Sequence, residues 1–145
     1  MENGKSISTD QILSLLPHRH PFVLIDQVTD YELGKSIIGS KNVTYNEWYF
    51  EGLPAGLRIV PASILSEAIA QLGALLVALE NEVQGKLIYF SGLDKVRFRK
   101  PVRPGDTLVM KAVILRRKGR VGRLSVEARV SGGLAFEGIM QFAME

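Results

Sequence analysis

The chain has 145 residues, 46% hydrophobic and 23% charged, with no cysteine and two histidines. That length fits one domain with enough apolar residues for a single core. The composition excludes a disulfide framework, a cysteine-based zinc site and a thiol nucleophile. Two histidines are too few for a dedicated His-rich metal site, and no cofactor is expected. The start, MENGKSISTD, has no apolar run behind a basic stretch, so no signal peptide is expected and the default compartment is cytoplasmic.

The formal net charge is only +3, but its distribution is uneven: Lys95 to Arg129 holds twelve of the eighteen Lys and Arg, against Asp106 and Glu127. Two readings fit. One is a solvated set of strand edges, where lysine is common. The other is a face that attracts an anionic partner. Nucleic acid is disfavoured, because Phe98 is the one aromatic interleaved in the patch and no helix-turn-helix or RNA-binding signature appears.

In chain order, Phe22–Val28 reads as a short strand. Lys35–Val43 reads as a second, after the turn Leu33-Gly34-Lys35. The longest apolar segment, Ile59 to Leu79, is long enough to span a membrane. Ser63, Ser66, Glu67 and Gln71 interrupt it, however, and nothing basic flanks it closely on its C-terminal side. A helix over Ala62 to Leu79, buried on nearly all sides, is therefore predicted instead. Leu87–Phe98, Thr107–Leu115, Arg123–Val130 and Leu134–Met144 read as four further strands. Pro101, Pro104 and Gly105 separate the first two, and Gly119, Gly122 and Gly132-Gly133 mark hairpin turns. Two strands, a long apolar helix and four strands joined by tight turns give an α+β domain, a curved antiparallel sheet wrapped around one helix. Its free edges predict a homodimer with a continuous sheet.

Three features could carry chemistry. Ser63, Glu67 and Gln71 recur at i, i+4 and i+8, a polar stripe on an otherwise apolar helix. A buried carboxylate is paired, protonated or functional, so Glu67 is either bonded to a neighbouring loop or part of a site. The loop Phe50-Glu51-Gly52-Leu53-Pro54-Ala55-Gly56 leads to Pro61, a residue suited to a first helical turn. Gly52 and Gly56 permit close backbone approach, and free N–H groups near Ala62 and Ser63 could bind a carbonyl or anion. The plainer reading is an ordinary Gly/Pro connection. Leu16-Pro17-His18-Arg19-His20-Pro21-Phe22 places two histidines two apart with no third metal ligand in view, which reads as a turn with one His bonded to backbone.

Together these stretches resemble the 3-hydroxyacyl-(acyl carrier protein) dehydratases of type II fatty acid synthesis, from about Gln11 to Ala143. Leu16 to Phe22 resembles their L-P-H-R-Y-P-F opening, with His20 in place of Tyr. Lys41-Asn42-Val43-Thr44 matches K-N-V-T. Phe50-Glu51-Gly52 begins the loop F-x-G-H-F-P-G. Pro61 and Ser66-Glu67-Ala68-Ile69-Ala70-Gln71 match P-G-V-L-x-x-E-A-x-A-Q. Asp94 to Val102 with Pro104-Gly105-Asp106 matches D-K-x-R-F-R-x-P-V-x-P-G-D. The resemblance implies the hotdog fold, with a site shared across a dimer interface.

In that family a loop histidine removes the α-proton, and an acid from the helix of the other subunit handles the β-hydroxyl. The carry-over gives Glu67 as the acid and no base, since Leu53 stands at the histidine position. Pro54, Ala55 and Ala62 also depart from the pattern. His18 and His20 are the only imidazoles left as substitutes. The resemblance further implies an acyl tunnel, with Gly52, Leu53, Gly56, Ala62, Ser63, Gln71, Phe90 and Leu93 as substrate-binding candidates. Arg97, Arg99 and Lys100 would meet the acidic carrier protein. Three functions compete. The chain dehydrates acyl carrier protein thioesters; it is a non-catalytic or heteromeric partner that lends Glu67 to a His-bearing paralogue; or it is a hotdog thioesterase whose helix carboxylate activates water. A homodimer, a hexamer and a heteromer all fit the resemblance.

Overall fold

The alternation of apolar and polar residues carries over into strands in the computed structural model, which describes residues 5–80 and 85–145. The first four residues of the N-terminal stretch read above lie outside them. Helix α1 spans Thr9–Leu15, followed by strands β1 (Gln27–Glu32) and β2 (Ser36–Asn42). Helix α2 spans Ala62–Ala78. Strands β3 (Ile88–Phe98), β4 (Thr107–Lys118), β5 (Val121–Val130) and β6 (Gly133–Met144) complete the chain. All neighbours pair antiparallel, in the order β1-β2-β4-β5-β6-β3. The α+β arrangement expected from the sequence, one long helix against an antiparallel sheet, is the one observed.

One face of the sheet is apolar by the two-residue period of its strands: Leu124, Val126, Ala128 and Val130 on β5 and Leu108, Met110 and Ala112 on β4 are buried. They close on α2, whose Leu65, Ala68, Ile69, Leu72, Leu75, Leu76 and Val77 are buried as well. The approach is close where the sheet offers no side chain. A Cβ on Gly39 of β2 would lie 2.7 Å from Leu72 Cδ1 and 3.0 Å from the Gln27 carbonyl oxygen on β1.

Three details differ from the sequence reading. Helix α1 was not anticipated. Its signal is local: Ser8 accepts from the Gln11 N–H while the Gln11 side chain accepts from the Ser8 N–H, a capping box. The strand expected over Phe22–Val28 begins only at Gln27; Phe22 and Leu24 are tied to α2, and the Asp26 N–H bonds β2 at the Ser40 carbonyl. The start of α2 at Ala62, directly after Pro61, is where the sequence places it, and just before it the Val60 N–H bonds the Val102 carbonyl. Finally, α2 is not wrapped on all sides. Ala62 and Ser63 are exposed, and Ser66, Glu67 and Ala70 are half-buried.

The open side of α2 faces β3, an edge strand paired only with β6, which exposes Tyr89, Leu93 and Phe98. β3 thus presents both an unpaired edge and bare apolar surface.

Gly39→Ala tests the helix–sheet contact. Leu72 can rotate away, but the Gln27 carbonyl cannot, so the extra methyl should destabilise by about 1–3 kcal/mol. Thermal denaturation should show a melting temperature lower by roughly 3–10 °C.

Candidate functional site

A single buried amide organises the site. Gln71, one turn beyond Glu67 on α2, accepts a hydrogen bond from the Leu24 N–H at 2.9 Å. Its Nε2 donates to the Phe22 carbonyl at 2.8 Å and to Glu67 Oε1 at 3.2 Å. The first two bonds fasten the extended segment after Pro21 to the helix, and the third orients the carboxylate. Gln71 therefore acts as a clamp rather than lining a cavity.

The same segment carries His18. Arg19 folds back to donate to the Leu16 and His18 carbonyls, at 2.9 and 2.7 Å. The Trp48 indole donates to the Pro21 carbonyl at 2.8 Å. Phe22 stacks on the His18 ring at 6.5 Å between centroids and lies 6.1 Å from Trp48. These contacts put His18 Nε2 3.5 Å from Glu67 Oε1, with the side chains 28% and 32% exposed. His18 Nδ1 is buried with no hydrogen-bond partner among the described residues. Glu67 is thus not the deeply buried carboxylate the sequence predicts; it sits at the lip of the sheet because α2 is open there. His20 is exposed and stands outside the pair.

Each member of this pair lines a different cavity. One of about 490 Å³ includes Ser63, Ser66, Glu67 and Ala70 of α2, with Phe90 and Leu93 of β3. The other, of about 350 Å³, includes Leu16, Pro17, His18, Ala74, Ala78 and Ile88. Along α2 the wall is therefore Ser63, Glu67, Ala70, Ala74 and Ala78, one helix face kept shallow by small side chains. Of the sequence-derived candidates, Ser63, Glu67, Phe90 and Leu93 come together. Ser66, Ala70, Ala74 and Ala78 were missed, although steps of three and four from Ser63 and Glu67 mark the same face.

The loop before α2 is anchored at its start and bare at its tip. Lys41 Nζ lies 3.0 Å from Glu47 and 3.7 Å from Asp26. Burial, and then the charges of Glu47 and Asp26, push the Tyr49 hydroxyl well above the usual tyrosine range, so it stays neutral. Phe50 is fully buried. Beyond it, Gly52 adopts a φ of +80°, and Leu53 and Leu57 are exposed. Gly52, Leu53 and Gly56 line neither cavity at the His18–Glu67 pair. No atom approaches within 4 Å of a Cβ built on Gly52 or Gly56.

Ala62 lies in a separate hollow beside Arg99 and Lys100. At the helix start, Pro61 already accepts from the Ile64 and Leu65 N–H groups, which leaves those of Ala62 and Ser63 open. Arg99 binds Glu137 through two hydrogen bonds, at 2.9 and 3.3 Å. That contact holds the Glu137 carboxyl below the usual carboxylate range. Lys100 Nζ reaches the Val130 carbonyl at 3.5 Å. No helix among the described residues is long and apolar enough to cross a membrane.

A family model described as a FabA-like domain matches residues 16–139. The chain is 42% identical over 136 residues to a 3-hydroxyacyl-(acyl-carrier-protein) dehydratase of Caldicellulosiruptor bescii, covering 94% of this chain and 97% of the relative. It is 45% identical over 133 residues to the dehydratase of the same name from Moorella thermoacetica, covering 92% and 93%. Among solved structures, a dehydratase heterocomplex from Xenorhabdus doucetiae superposes with a TM-score of 0.75 at 17% identity, covering 92% of this chain and 90% of the other. A hypothetical thioesterase with coenzyme A from Streptococcus pneumoniae superposes with a TM-score of 0.62 at 11% identity, covering 81% and 84%. At these identities the two structures speak for the hotdog fold alone. The sequence matches span the segments that carry the His18–Glu67 pair and its clamp, and the chain belongs to the FabA-like family of 3-hydroxyacyl-(acyl carrier protein) dehydratases.

Proposed function

We propose that the chain dehydrates 3-hydroxyacyl thioesters with Glu67 and His18 as its acid–base pair. The observation that carries this reading is the 3.5 Å separation of His18 Nε2 and Glu67 Oε1, each of which lines a cavity. Dehydration needs a base at the α-carbon and an acid at the β-hydroxyl. The neutral His18 imidazole takes the α-proton, the Cβ–O bond breaks, and the protonated Glu67 carboxyl gives its proton to the departing hydroxyl. Water and a 2-enoyl thioester result, leaving an imidazolium beside a carboxylate. One proton passing back from His18 to Glu67 restores the starting pair. The open N–H groups of Ala62 and Ser63 suit the thioester carbonyl, and the grooves along α2 take the acyl chain.

The free edge of β3 supports a homodimer in which two such strands pair, covering Tyr89 and Leu93 from water. A second reading draws on Leu53, which stands at the position the family resemblance gives to a loop histidine. It is exposed at a tip that joins no cavity at its own chain's pair. In that reading the chain lends Glu67 across an interface to a His-bearing paralogue.

Turnover of a 3-hydroxybutyryl thioester by the purified chain separates these. Under the first reading, Glu67→Gln and His18→Ala each lower kcat by about 10²–10⁴-fold with unchanged melting temperature, while His20→Ala retains most turnover. Wild-type rates in His18→Ala sink the role of His18, and release of free thiol instead of enoyl product points to a thioesterase. Leu53→His distinguishes the second reading. If the chain lacks only a loop base, the variant gains about 10²-fold or more, and the unmodified chain co-purifies with a His-bearing dehydratase.

A further inference from the structure

The two members of the acid–base pair are held unequally. The Glu67 carboxylate is oriented by Gln71, and Arg19 ties the backbone of His18 by donating to its carbonyl at 2.7 Å. The imidazole ring has no such tie. Its Nδ1 bonds nothing among the described residues, and the 3.5 Å from Nε2 to Glu67 is longer than an ordinary hydrogen bond. The ring lies instead against Phe22, nearly parallel to it, with 16° between the planes.

Phe22 is itself 39% exposed, so the core does not fix it from every side. Trp48 supplies a further contact. Its ring is tilted by 31° against Phe22, and its indole N–H donates to the carbonyl of Pro21, one residue earlier. Trp48 is in turn rooted in the fold. It opens the short turn Trp48–Phe50, its ring meets Tyr49 edge-on at 5.5 Å, and Tyr49 meets the fully buried Phe50 at 4.8 Å. An aromatic line therefore runs from the core through Phe50, Tyr49, Trp48 and Phe22 to His18. Tilted and edge-on contacts of this kind favour particular ring orientations, beyond what buried area alone would give.

We propose that Trp48, which lines neither cavity at the pair, is a positioning residue for His18: through Phe22 and the Pro21 carbonyl it fixes the plane in which the imidazole stands beside Glu67. The assignment rests on the dehydratase reading above. A general base must meet the proton it removes within hydrogen-bond reach. A displacement of about 1 Å at such a group costs about 10²-fold in rate. A ring held by stacking rather than by hydrogen bonds depends on whatever holds the stack.

The test compares wild type with Trp48→Ala and Trp48→Phe in two readouts. One is turnover of a 3-hydroxybutyryl pantetheine thioester. The other is the nuclear Overhauser contact between the His18 and Phe22 rings in protein carrying isotope-labelled histidine. The chain has two histidines, so His20→Ala assigns the His18 signals by elimination. Trp48→Ala should lower kcat by about tenfold or more, with KM within about twofold, and should weaken the His18–Phe22 contact. Trp48→Phe keeps a ring against Phe22 but loses the N–H bond, and should fall between the two in both readouts. Trp48→Leu, which keeps apolar bulk without a ring, stands in if Trp48→Ala fails to fold. Wild-type kcat in the ringless variant, or an undiminished His18–Phe22 contact in it, overturns the positioning role while the dehydratase reading stands. If the wild type turns over no hydroxyacyl substrate, the dehydratase reading falls, and the ring contact alone decides whether Trp48 sets the plane of His18.

Discussion

The arrangement of the site depends on the buried amide of Gln71. A primary amide carries an acceptor and two donor hydrogens, and all are used here: one on the Leu24 N–H, one on the Phe22 carbonyl, one on Glu67. The bonded backbone groups belong to a segment that has no strand partner at that point. Without the amide, the buried Leu24 N–H would lose its partner, at a cost of about 1–3 kcal/mol. Because the same side chain holds both the segment that bears His18 and the carboxylate of Glu67, the position of the pair follows from the clamp.

The second constraint is the contrast between the two ends of α2. From Leu65 onward the helix is mostly buried against β2, β4 and β5, close enough that Gly39 leaves no room for a methyl. Its first turns lie beside β3, which has only one neighbour and covers them incompletely. The small residues Ser63, Ala70, Ala74 and Ala78 keep the uncovered side shallow. Stability and access are thus divided along one helix, with packing concentrated toward its C-terminal part and chemistry near its start.

Charge follows a similar division. On the strands around Glu137, basic residues face glutamates: Arg99 holds Glu137, and Arg129 lies 3.2 Å from Glu127. At the β4–β5 turn Arg117 pairs with Glu80 and Arg123 lies 3.6 Å from Asp94, while Arg116, Lys118 and Arg120 make no ion pair among the described residues. A count of Lys and Arg cannot separate these two regions, since cross-strand partners are distant in sequence; Arg99 and Glu137 are 38 residues apart.

The sequence by itself determined the order of elements from β1 onward, the long apolar helix with its Ser63–Glu67–Gln71 stripe, and the family. Periods of two and 3.6 and the turn residues are local properties, and the family motifs are contiguous strings. The capping box of α1, Ser8 with Gln11, is an equally local signal. Tertiary structure decided the rest. It brought His18 rather than His20 to Glu67, made Gln71 a clamp, left Glu67 at an open lip instead of deep in the core, and paired Arg99 with Glu137. Each of these outcomes rests on a contact between residues far apart in the chain, set by sheet order and by how closely α2 meets each strand, and no local pattern encodes such a distance.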